Sequence, residues 1–236
     1  MTKRAKDIVK LFQSKGDSQI AAHSGRFFKT GPGEYGEGDR FLGIRVPVLR
    51  REVKSHLDLD LDSVLALLRS DFHEIRLFAV LLLVAQYERG NRSQRAAIYR
   101  SYLDNTRYIN NWDIVDASAY KIVGPHLAER SRRVLTRLAS SRSLWERRIA
   151  IMTTLHFIRE HDFEDTLRLA RKLLNDPEDL MHKAVGWMLR EVGNRDVDVL
   201  HGFLAQHYKV MPRTMLRYAI EKLPSEQRQA YLKGTV

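Results

Sequence analysis

Apolar side chains recur at the spacing of an α-helix along almost the whole chain. Ile8, Leu11 and Phe12 form one such stripe, and the run Phe72–Tyr87 is apolar enough to predict a helix that is buried on several sides. Further helices are predicted at about 111–123, 126–139, 142–159, 163–174, 177–193, 197–207, 212–222 and 225–232. Because no segment alternates apolar and polar residues over more than a few positions, the pattern predicts an all-α protein.

Residues that favour helix starts lie ahead of several of these segments. The predicted N-caps are Asp17, Asp71, Asp162, Asp176, Asp196 and Ser225. A short polar side chain at this position can accept a hydrogen bond from one of the first backbone N–H groups of a helix, which have no partner inside the helix. We therefore expect these residues to define where their helices begin.

An apolar helix that carries one polar residue recurs along the chain. The segments EIRLFAVLL, DIVDASAYKIV, ERRIAIMTTL and MHKAVGWML align on Arg76, Asp116, Arg148 and Lys183, at steps of 40, 32 and 35 residues. This spacing is typical of helical hairpins of the HEAT kind. The sequence therefore predicts an α–α superhelix, a solenoid of HEAT-like repeats forming one domain over residues 1–236, with a basic concave face lined by one polar residue per repeat.

A glycine-rich stretch at 30–43 interrupts the helices, and it holds five of the 13 glycines. Its letters at 31–36 fit the dinucleotide pattern G-x-G-x-x-G, but no strand precedes them and no helix opens within them. Glu34, Glu37 and Asp39 would also repel a pyrophosphate. We expect a mobile surface loop here rather than a nucleotide site.

The composition narrows the possible partners. The chain has 236 residues with 40 Lys and Arg against 29 Asp and Glu, a formal charge of +11 that favours a polyanion. There is no cysteine, which excludes disulfides, a thiol nucleophile and Cys-ligated metals. The nine histidines show no metal-ligand spacing, so neither a metal nor a cofactor is expected. The longest apolar run, 77–85, is far shorter than the roughly 20 residues that cross a bilayer. With no signal peptide in the sequence, we expect a cytoplasmic, nucleoid-associated monomer with no membrane partner.

The tryptophans stand close to charged residues in the sequence. Trp112 and Asp116 are four residues apart, as are Lys183 and Trp187, so each pair shares one face of a helix. A single pair of this kind is typical of an amphipathic helix with a half-buried tryptophan, and Trp145 is expected to lie in the core. Asp116 is different, because a carboxylate on a basic surface opposes the attraction of DNA. Catalysis is one reason for such a residue to be there.

Four segments make the sequence resemble the HEAT-repeat alkylpurine DNA glycosylases, the AlkD type of DNA alkylation repair enzyme. They are GPGEYGEGDRFLGIRVPVLR at 31–50, NWDIVD at 111–116, SLWERRIAI at 143–151 and HKAVGWMLREV at 182–192. The last three, in this order and spacing, are fairly specific to that family, and the resemblance extends over nearly the whole chain. It implies a monofunctional glycosylase that hydrolyses the N-glycosidic bond of cationic alkylpurines, such as 3-methyladenine and 7-methylguanine, in duplex DNA and so initiates base excision repair.

The resemblance also implies roles for individual residues. Trp112 and Trp187 would flank the lesion-bearing nucleotide, and Asp116 would be the catalytic carboxylate. Arg148 would contact the DNA backbone near the lesion. The remaining residues expected to bind DNA are Lys183, Arg190 and Phe27. Phe27 departs from the family pattern, which usually has a tyrosine at this edge of the cleft.

The chemistry of the proposed reaction agrees with these residue types. A cationic alkylpurine leaves as a neutral molecule and needs no general acid, whereas ordinary glycoside hydrolysis uses a pair of carboxyl groups. One aspartate can stabilise the sugar cation of the transition state and orient the attacking water. The resemblance further implies that the lesion is probed through its backbone and sugar, without a base-recognition pocket. Asp113, next to Trp112, is expected to serve the helix N-terminus instead.

Two other classes of function stay open at this point. A non-catalytic HEAT-repeat protein could bind bent or branched DNA without releasing a base. A protein-binding scaffold is the commonest use of such solenoids, but it gives no reason for the net charge or for the pairing of Trp112 with Asp116. Detection of free alkylated purine after incubation with methylated duplex DNA distinguishes the three classes.

Overall fold

A computed structural model describes residues 2–236, and these residues form helices that are joined by short turns, except for one longer connection over 28–45. The chain divides into two compact units, Met1–Ile122 and Val123–Val236, here called unit 1 and unit 2. Within residues 2–236 the extended pairing amounts to one isolated parallel bridge, between Arg40 and Phe72. The predicted all-α class is therefore confirmed.

Unit 1 is built around one long apolar helix. Its helices are α1 (Lys3–Ser14), α2 (Ser18–Phe27), α3 (Val46–Ser55), α4 (Leu61–Leu68), α5 (His73–Arg89), α6 (Arg92–Asp104) and the first part of α7 (Trp112–Leu127), with a 3₁₀ turn at Thr106–Tyr108. Helix α5 packs against α3, α4 and α6 and is buried on nearly every side from His73 to Val84. The expectation of a buried helix in this part of the sequence is confirmed.

Unit 2 has a similar arrangement around two helices. Its helices are α8 (Arg133–Ala139), α9 (Leu144–Arg159), α10 (Glu164–Lys172), α11 (Asp179–Gly193), α12 (Val197–His207), α13 (Arg213–Ala219) and α14 (Ser225–Lys233). Helix α9 packs against α8, α10 and α11, and α11 packs against α12 and α13. A Cβ at Gly186 would lie only 2.5 Å from the Met215 carbonyl oxygen, so this glycine permits the close approach of α11 and α13.

The predicted helix at 126–139 is wrong in its first half. Helix α7 continues through Pro125 to Leu127, and α8 begins only at Arg133. Pro125 lies in the last turn of α7, where it removes one N–H donor of the helix, and the helix ends soon after it, at Leu127. The following residues 128–132 carry no large apolar side chain, so no buried face holds them in a helix.

Two of the predicted N-caps are confirmed, and the others are wrong. Asp17 and Asp196 each accept two backbone N–H groups at the starts of α2 and α12, as expected. Asp162 and Asp176 are not N-caps, because they form ion pairs with Arg132 and Arg147. Helices α5 and α14 have Phe72 and Pro224 at the N-cap position, so the predictions at Asp71 and Ser225 are wrong by one residue.

The four aligned polar residues differ in exposure. Arg76 and Arg148 are only 4% and 5% exposed and lie inside unit 1 and unit 2, respectively. Asp116 and Lys183 are half-buried and reach the surface of their own units. The expectation that all four line one surface is therefore wrong for the two arginines, which instead make hydrogen bonds within their own unit.

No helix among residues 2–236 has both the length and the apolar character that crossing a bilayer requires.

Candidate functional site

Aromatic rings collect around Trp112 at the start of α7. Phe28 stacks on the indole with ring centroids 5.3 Å apart and planes 24° apart, and Phe27 meets it edge-on at 6.1 Å. Both phenylalanines lie at the C-terminal end of α2, and the Phe27 side chain is 56% exposed. The structure thus brings together two of the predicted site residues, Phe27 and Trp112, and adds Phe28, which the sequence did not single out.

The stack continues inward from Phe28. Phe41 lies nearly parallel to Phe28 with centroids 5.2 Å apart, and its ring also stacks on the imidazole of His73 at 4.7 Å. Phe28 contacts the same imidazole at 4.8 Å in a tilted arrangement. Trp112 is therefore supported by a column of rings that ends on a buried histidine; we call Trp112, Phe28, Phe41 and His73 the ring column.

His73 is bonded to a carboxylate on each side of its ring. Nδ1 lies 3.0 Å from Asp39 Oδ2, and Nε2 lies 2.9 Å from Asp113 Oδ2. Burial disfavours the charged imidazole, but the hydrogen bonds and charges of the two aspartates outweigh it and raise the pKa of His73 to about 9. At neutral pH the base of the ring column is thus an imidazolium.

Asp39 is held by several donors in addition to His73. Arg76 makes an ion pair with its Oδ1, and the Asn111 side-chain amide donates to Oδ2 at 3.1 Å. Burial acts to raise the pKa of Asp39, but the His73 hydrogen bond and the charge of Arg76 keep this pKa below its ordinary value. The carboxylate that we expected to lie in a mobile loop is an ionised group inside unit 1.

The rest of this segment is also bonded to the start of α5. The Glu74 carboxylate accepts the backbone N–H groups of residues 42–44 at 2.8–3.2 Å, and His73 donates its own N–H to the Arg40 carbonyl at 2.8 Å. Gly43 has φ of +82°, and a Cβ there would lie 1.9 Å from the Asp17 carbonyl oxygen. The expectation of a mobile loop over 30–43 is therefore wrong for its C-terminal part, because buried charges attach that part to the helices.

Asp116 lies one turn after Trp112 on α7 and is half-buried. Burial raises the pKa of the neighbouring Tyr102 hydroxyl, and the negative charge of Asp116 raises it further. That hydroxyl is 2.8 Å from Ser118 Oγ, which joins α6 to α7. The structure thus places the predicted catalytic carboxylate on the same helix as Trp112.

Asp113 differs from the expectation in part. It lies in the first turn of α7, as predicted, and its Oδ1 accepts the Ile114 N–H at 2.9 Å. Its other oxygen binds His73, so Asp113 also connects α7 to α5. The Trp112 backbone N–H donates instead to Asn111 Oδ1, at 2.8 Å.

Unit 2 carries a second tryptophan with a fixed orientation. The Trp187 indole Nε1 donates to Glu191 Oε1 at 3.2 Å, and Arg195 donates to the other oxygen of Glu191 at 3.0 Å. Trp187 is half-buried on α11, one turn after Lys183. Because the indole N–H is bonded to Glu191, a ligand would contact the rest of the indole ring and not its N–H group.

The two predicted phosphate-binding cations of α11 are already paired. Lys183 Nζ lies 2.7 Å from Asp179 Oδ2, and this contact lowers the pKa of Asp179. Arg190 forms a short ion pair with Glu221. Since both acidic partners are partly exposed, a DNA phosphate could replace either carboxylate at its cation.

Arg148 and Trp145 lie differently from what the sequence suggested. Arg148 is buried, and its Nη1 donates to the Leu180 carbonyl at 2.7 Å, which joins α9 to the start of α11. Trp145 is half-buried and not part of the closed core. The expected DNA contact of Arg148 stays a prediction, and the observed hydrogen bond gives this arginine a role in the packing of unit 2.

The sequence reasoning missed the ring column apart from Trp112. Phe28 precedes the glycine-rich segment, Phe41 lies within it, and His73 begins the most apolar helix, so each had a simpler interpretation. The available signal was the buried charge: a histidine and an arginine at positions 73 and 76 inside an apolar run require carboxylate partners. Because both ring nitrogens of His73 face carboxylates, the cluster does not form a metal site, and no group of ligands suited to a metal occurs elsewhere in residues 2–236.

The protein is all-α, and its helices pack against one another within each unit. Two helices, α7 and α11, each carry a half-buried tryptophan and a charged residue one turn away. The model of one protein family, described as DNA alkylation repair enzyme, matches residues 8–223. The chain therefore belongs to the DNA alkylation repair enzyme family, and this membership supports a role in the repair of alkylated DNA.

A solved structure agrees with this assignment at the level of the fold. It is described as a predicted DNA alkylation repair enzyme from Enterococcus faecalis, is 17% identical in sequence and superposes with a TM-score of 0.70. The similarity covers 89% of this chain and 97% of the other. Among curated proteins, none matches the sequence.

Proposed function

We propose that the protein is a DNA glycosylase that releases cationic alkylated purines from duplex DNA. The observation that carries this proposal is the arrangement on α7: Trp112, backed by Phe28, stands one turn before Asp116 in a member of the DNA alkylation repair enzyme family. An indole face and a carboxylate on the same side of one helix can both stabilise a developing sugar cation.

Asp116 stabilises the transition state by charge. Breaking the N-glycosidic bond of a cationic purine transfers the positive charge from the base to the sugar, which becomes oxocarbenium-like. A carboxylate near the sugar lowers the energy of that cation and can orient the attacking water. The base leaves neutral, so the reaction needs no second carboxyl group to protonate it.

Trp112 acts through its indole face. Phe28 covers one face of the ring, so a cationic base or sugar would meet the opposite face. A cation over an indole gains about 0.5–2 kcal/mol, depending on how far it is removed from water. Phe27, at the exposed edge of the same cluster, offers a further apolar contact for DNA.

DNA affinity comes from the excess of basic residues. The formal charge of +11 attracts the phosphate backbone, and binding of this kind depends strongly on salt and little on base sequence. Lys183 and Arg190 contribute when phosphates replace Asp179 and Glu221 as their partners.

The proposal is tested by incubating the protein with duplex DNA that has been methylated at purine nitrogens, and by measuring the free bases with mass spectrometry. We expect 7-methylguanine and 3-methyladenine in solution, at amounts that grow with time and enzyme. Tight DNA binding with no free base would instead support the non-catalytic alternative, a protein that recognises distorted DNA.

A further inference from the structure

The buried imidazole of His73 connects three segments of unit 1. It begins α5, binds Asp39 of the glycine-rich segment through Nδ1, and binds Asp113 of α7 through Nε2. Its side chain is only 2% exposed. Asp113 directly follows Trp112 and precedes Asp116 by less than one turn, so the histidine holds the part of α7 that carries both proposed active-site residues.

The geometry fits a doubly protonated ring between two carboxylates. A neutral imidazole has one N–H and one lone pair, so one of the two aspartates would face a lone pair at about 3 Å. Only the imidazolium donates to both. The charged groups around it are Asp39, Asp113 and Arg76, while the Glu74 carboxylate is directed to the N–H groups of residues 42–44. Arg76 neutralises part of the charge of Asp39, so the imidazolium is balanced chiefly by Asp113.

The same imidazolium supports Trp112 through the ring column. Phe41 stacks on the imidazole at 4.7 Å, Phe28 lies 4.8 Å from it, and Phe28 stacks on Trp112 at 5.3 Å. A cation beside a phenyl ring is attracted to its π-system, so the charge adds to the packing of the column. Loss of the proton would weaken both supports of Trp112: the hydrogen bond to Asp113 and the attraction between the imidazolium and the phenyl rings.

We propose that His73 is a positioning residue for base release: its imidazolium fixes the first turn of α7 and the ring column, and thereby the indole of Trp112, so that the reaction slows when His73 loses its proton. This proposal rests on the proposed glycosylase function. His73 touches neither the DNA nor the reacting atoms in this account, and it acts through Asp113 and Phe28.

The first test compares His73→Gln with the wild type in single-turnover release of 7-methylguanine between pH 6 and pH 10. Alkali also alters the substrate, so the result is read as the ratio of variant to wild-type rate at each pH. We expect a ratio of about 0.1 or less near pH 7, since misplacing a catalytic group by about 1 Å can cost up to 100-fold. The ratio should rise towards one above pH 9, where the wild type has lost the same charge. A ratio that is constant with pH would overturn the proposal.

Asp39→Asn provides a second variant with a directional result. Removing one of the two carboxylates that stabilise the imidazolium lowers the pKa of His73, so the alkaline loss of activity should begin at lower pH than in the wild type. If His73 only filled space, Asp39→Asn would not change the pH at which the alkaline loss of activity begins. If the alkaline loss of activity in Asp39→Asn began at the same pH as in the wild type, the proposed role of the His73 proton would be contradicted, even if His73→Gln failed to fold. His23→Gln, at an exposed histidine of α2, is the matched control and should leave rate and profile unchanged.

Two readouts on the protein without DNA separate this proposal from the proposed function. The ¹⁵N chemical shifts of the His73 ring should show both nitrogens protonated at pH 8, and a neutral ring at that pH would overturn the proposal. In a background where Trp145 and Trp187 are replaced by Phe, acrylamide should quench Trp112 more strongly after His73→Gln. Equal quenching would show that the histidine does not position the indole. A wild type that released no base would refute the proposed function and leave these two results to stand by themselves.

Discussion

Phe28 lies against one face of the Trp112 indole, with the ring centroids 5.3 Å apart and the planes inclined by 24°. This contact connects the end of α2, which carries the exposed Phe27, to the helix that carries Asp116. The orientation of the indole is therefore set by side chains from outside its own helix. A cation that approaches Trp112 meets a ring with a fixed orientation.

Phe28→Leu should lower the rate of base release by about 2- to 10-fold, because a stacked aromatic pair contributes about 0.5–1.5 kcal/mol beyond the area it buries. Leucine keeps most of the volume and removes the aromatic face. The measurement is single-turnover release of 7-methylguanine at saturating enzyme, together with affinity for undamaged DNA, which should not change. Phe163→Leu, at a half-buried phenylalanine of unit 2, is the control and should have the wild-type rate.

Asp116→Asn should reduce base release by about 10²- to 10³-fold, the usual cost of removing one group that stabilises charge in a transition state. The amide has nearly the same shape, and loss of a negative charge should leave DNA affinity equal or slightly higher. Asp104→Asn, which removes the same charge at an exposed position of α6, is the matched control. Release at the wild-type rate by the Asp116 variant would show that the carboxylate is assigned wrongly.

Replacing each tryptophan by alanine should separate function from packing. Trp112→Ala and Trp187→Ala should lower base release substantially with small changes in melting temperature. Trp145→Ala should destabilise unit 2 without a direct effect on the chemistry, and because Trp145 is half-buried the loss should fall below the roughly 3–5 kcal/mol of a fully buried tryptophan. Thermal unfolding, urea unfolding and excision are measured on the same preparations. Equal thermal losses for all three would assign every tryptophan to packing.

Among the basic residues of unit 2, Lys183 should contribute to DNA binding and Arg148 to stability. Lys183→Gln should reduce the slope of log K against log salt for duplex DNA by about 0.9, the value of one phosphate contact. Asp179→Asn, which removes the competing carboxylate, should tighten binding. Arg148→Ala should instead cost about 1–3 kcal/mol of stability, because the part-buried Leu180 carbonyl loses a charged donor. A salt slope that changed in Arg148→Ala at unchanged stability would support its predicted phosphate contact instead.

The helices could be predicted from the sequence because their information is local. The apolar spacing of α5 and α11 and the capping side chains of Asp17 and Asp196 act within a few residues of themselves. Asp162 and Asp176 failed as caps because each has an arginine partner about 30 residues away in the chain. An N-cap predicted from the adjacent residues cannot take account of an ion pair with a residue far away in the sequence.

In the candidate site, too, the residues with a local signal were predicted and the long-range contacts were not. Trp112 and Asp116 were found because their four-residue spacing defines a helix face whatever the tertiary structure. The contacts of Asp39 and Asp113 with His73 were missed because sequence separations of 34 and 40 residues carry no periodic signal. Burial explains why the glycine-rich segment does not lie on the surface throughout: Asp39 is drawn in by two buried cations, His73 and Arg76.

In the proposed reaction one carboxylate, acting without a general acid, releases bases that already carry positive charge. Its most direct test is a comparison of lesions placed singly at the same position of one duplex: 7-methylguanine and 3-methyladenine against uracil, hypoxanthine and 8-oxoguanine. We predict that the cationic bases are released and that the neutral bases stay on the strand at every enzyme concentration. Rapid release of uracil or hypoxanthine would require a proton donor at the leaving base and would contradict the single-carboxylate mechanism.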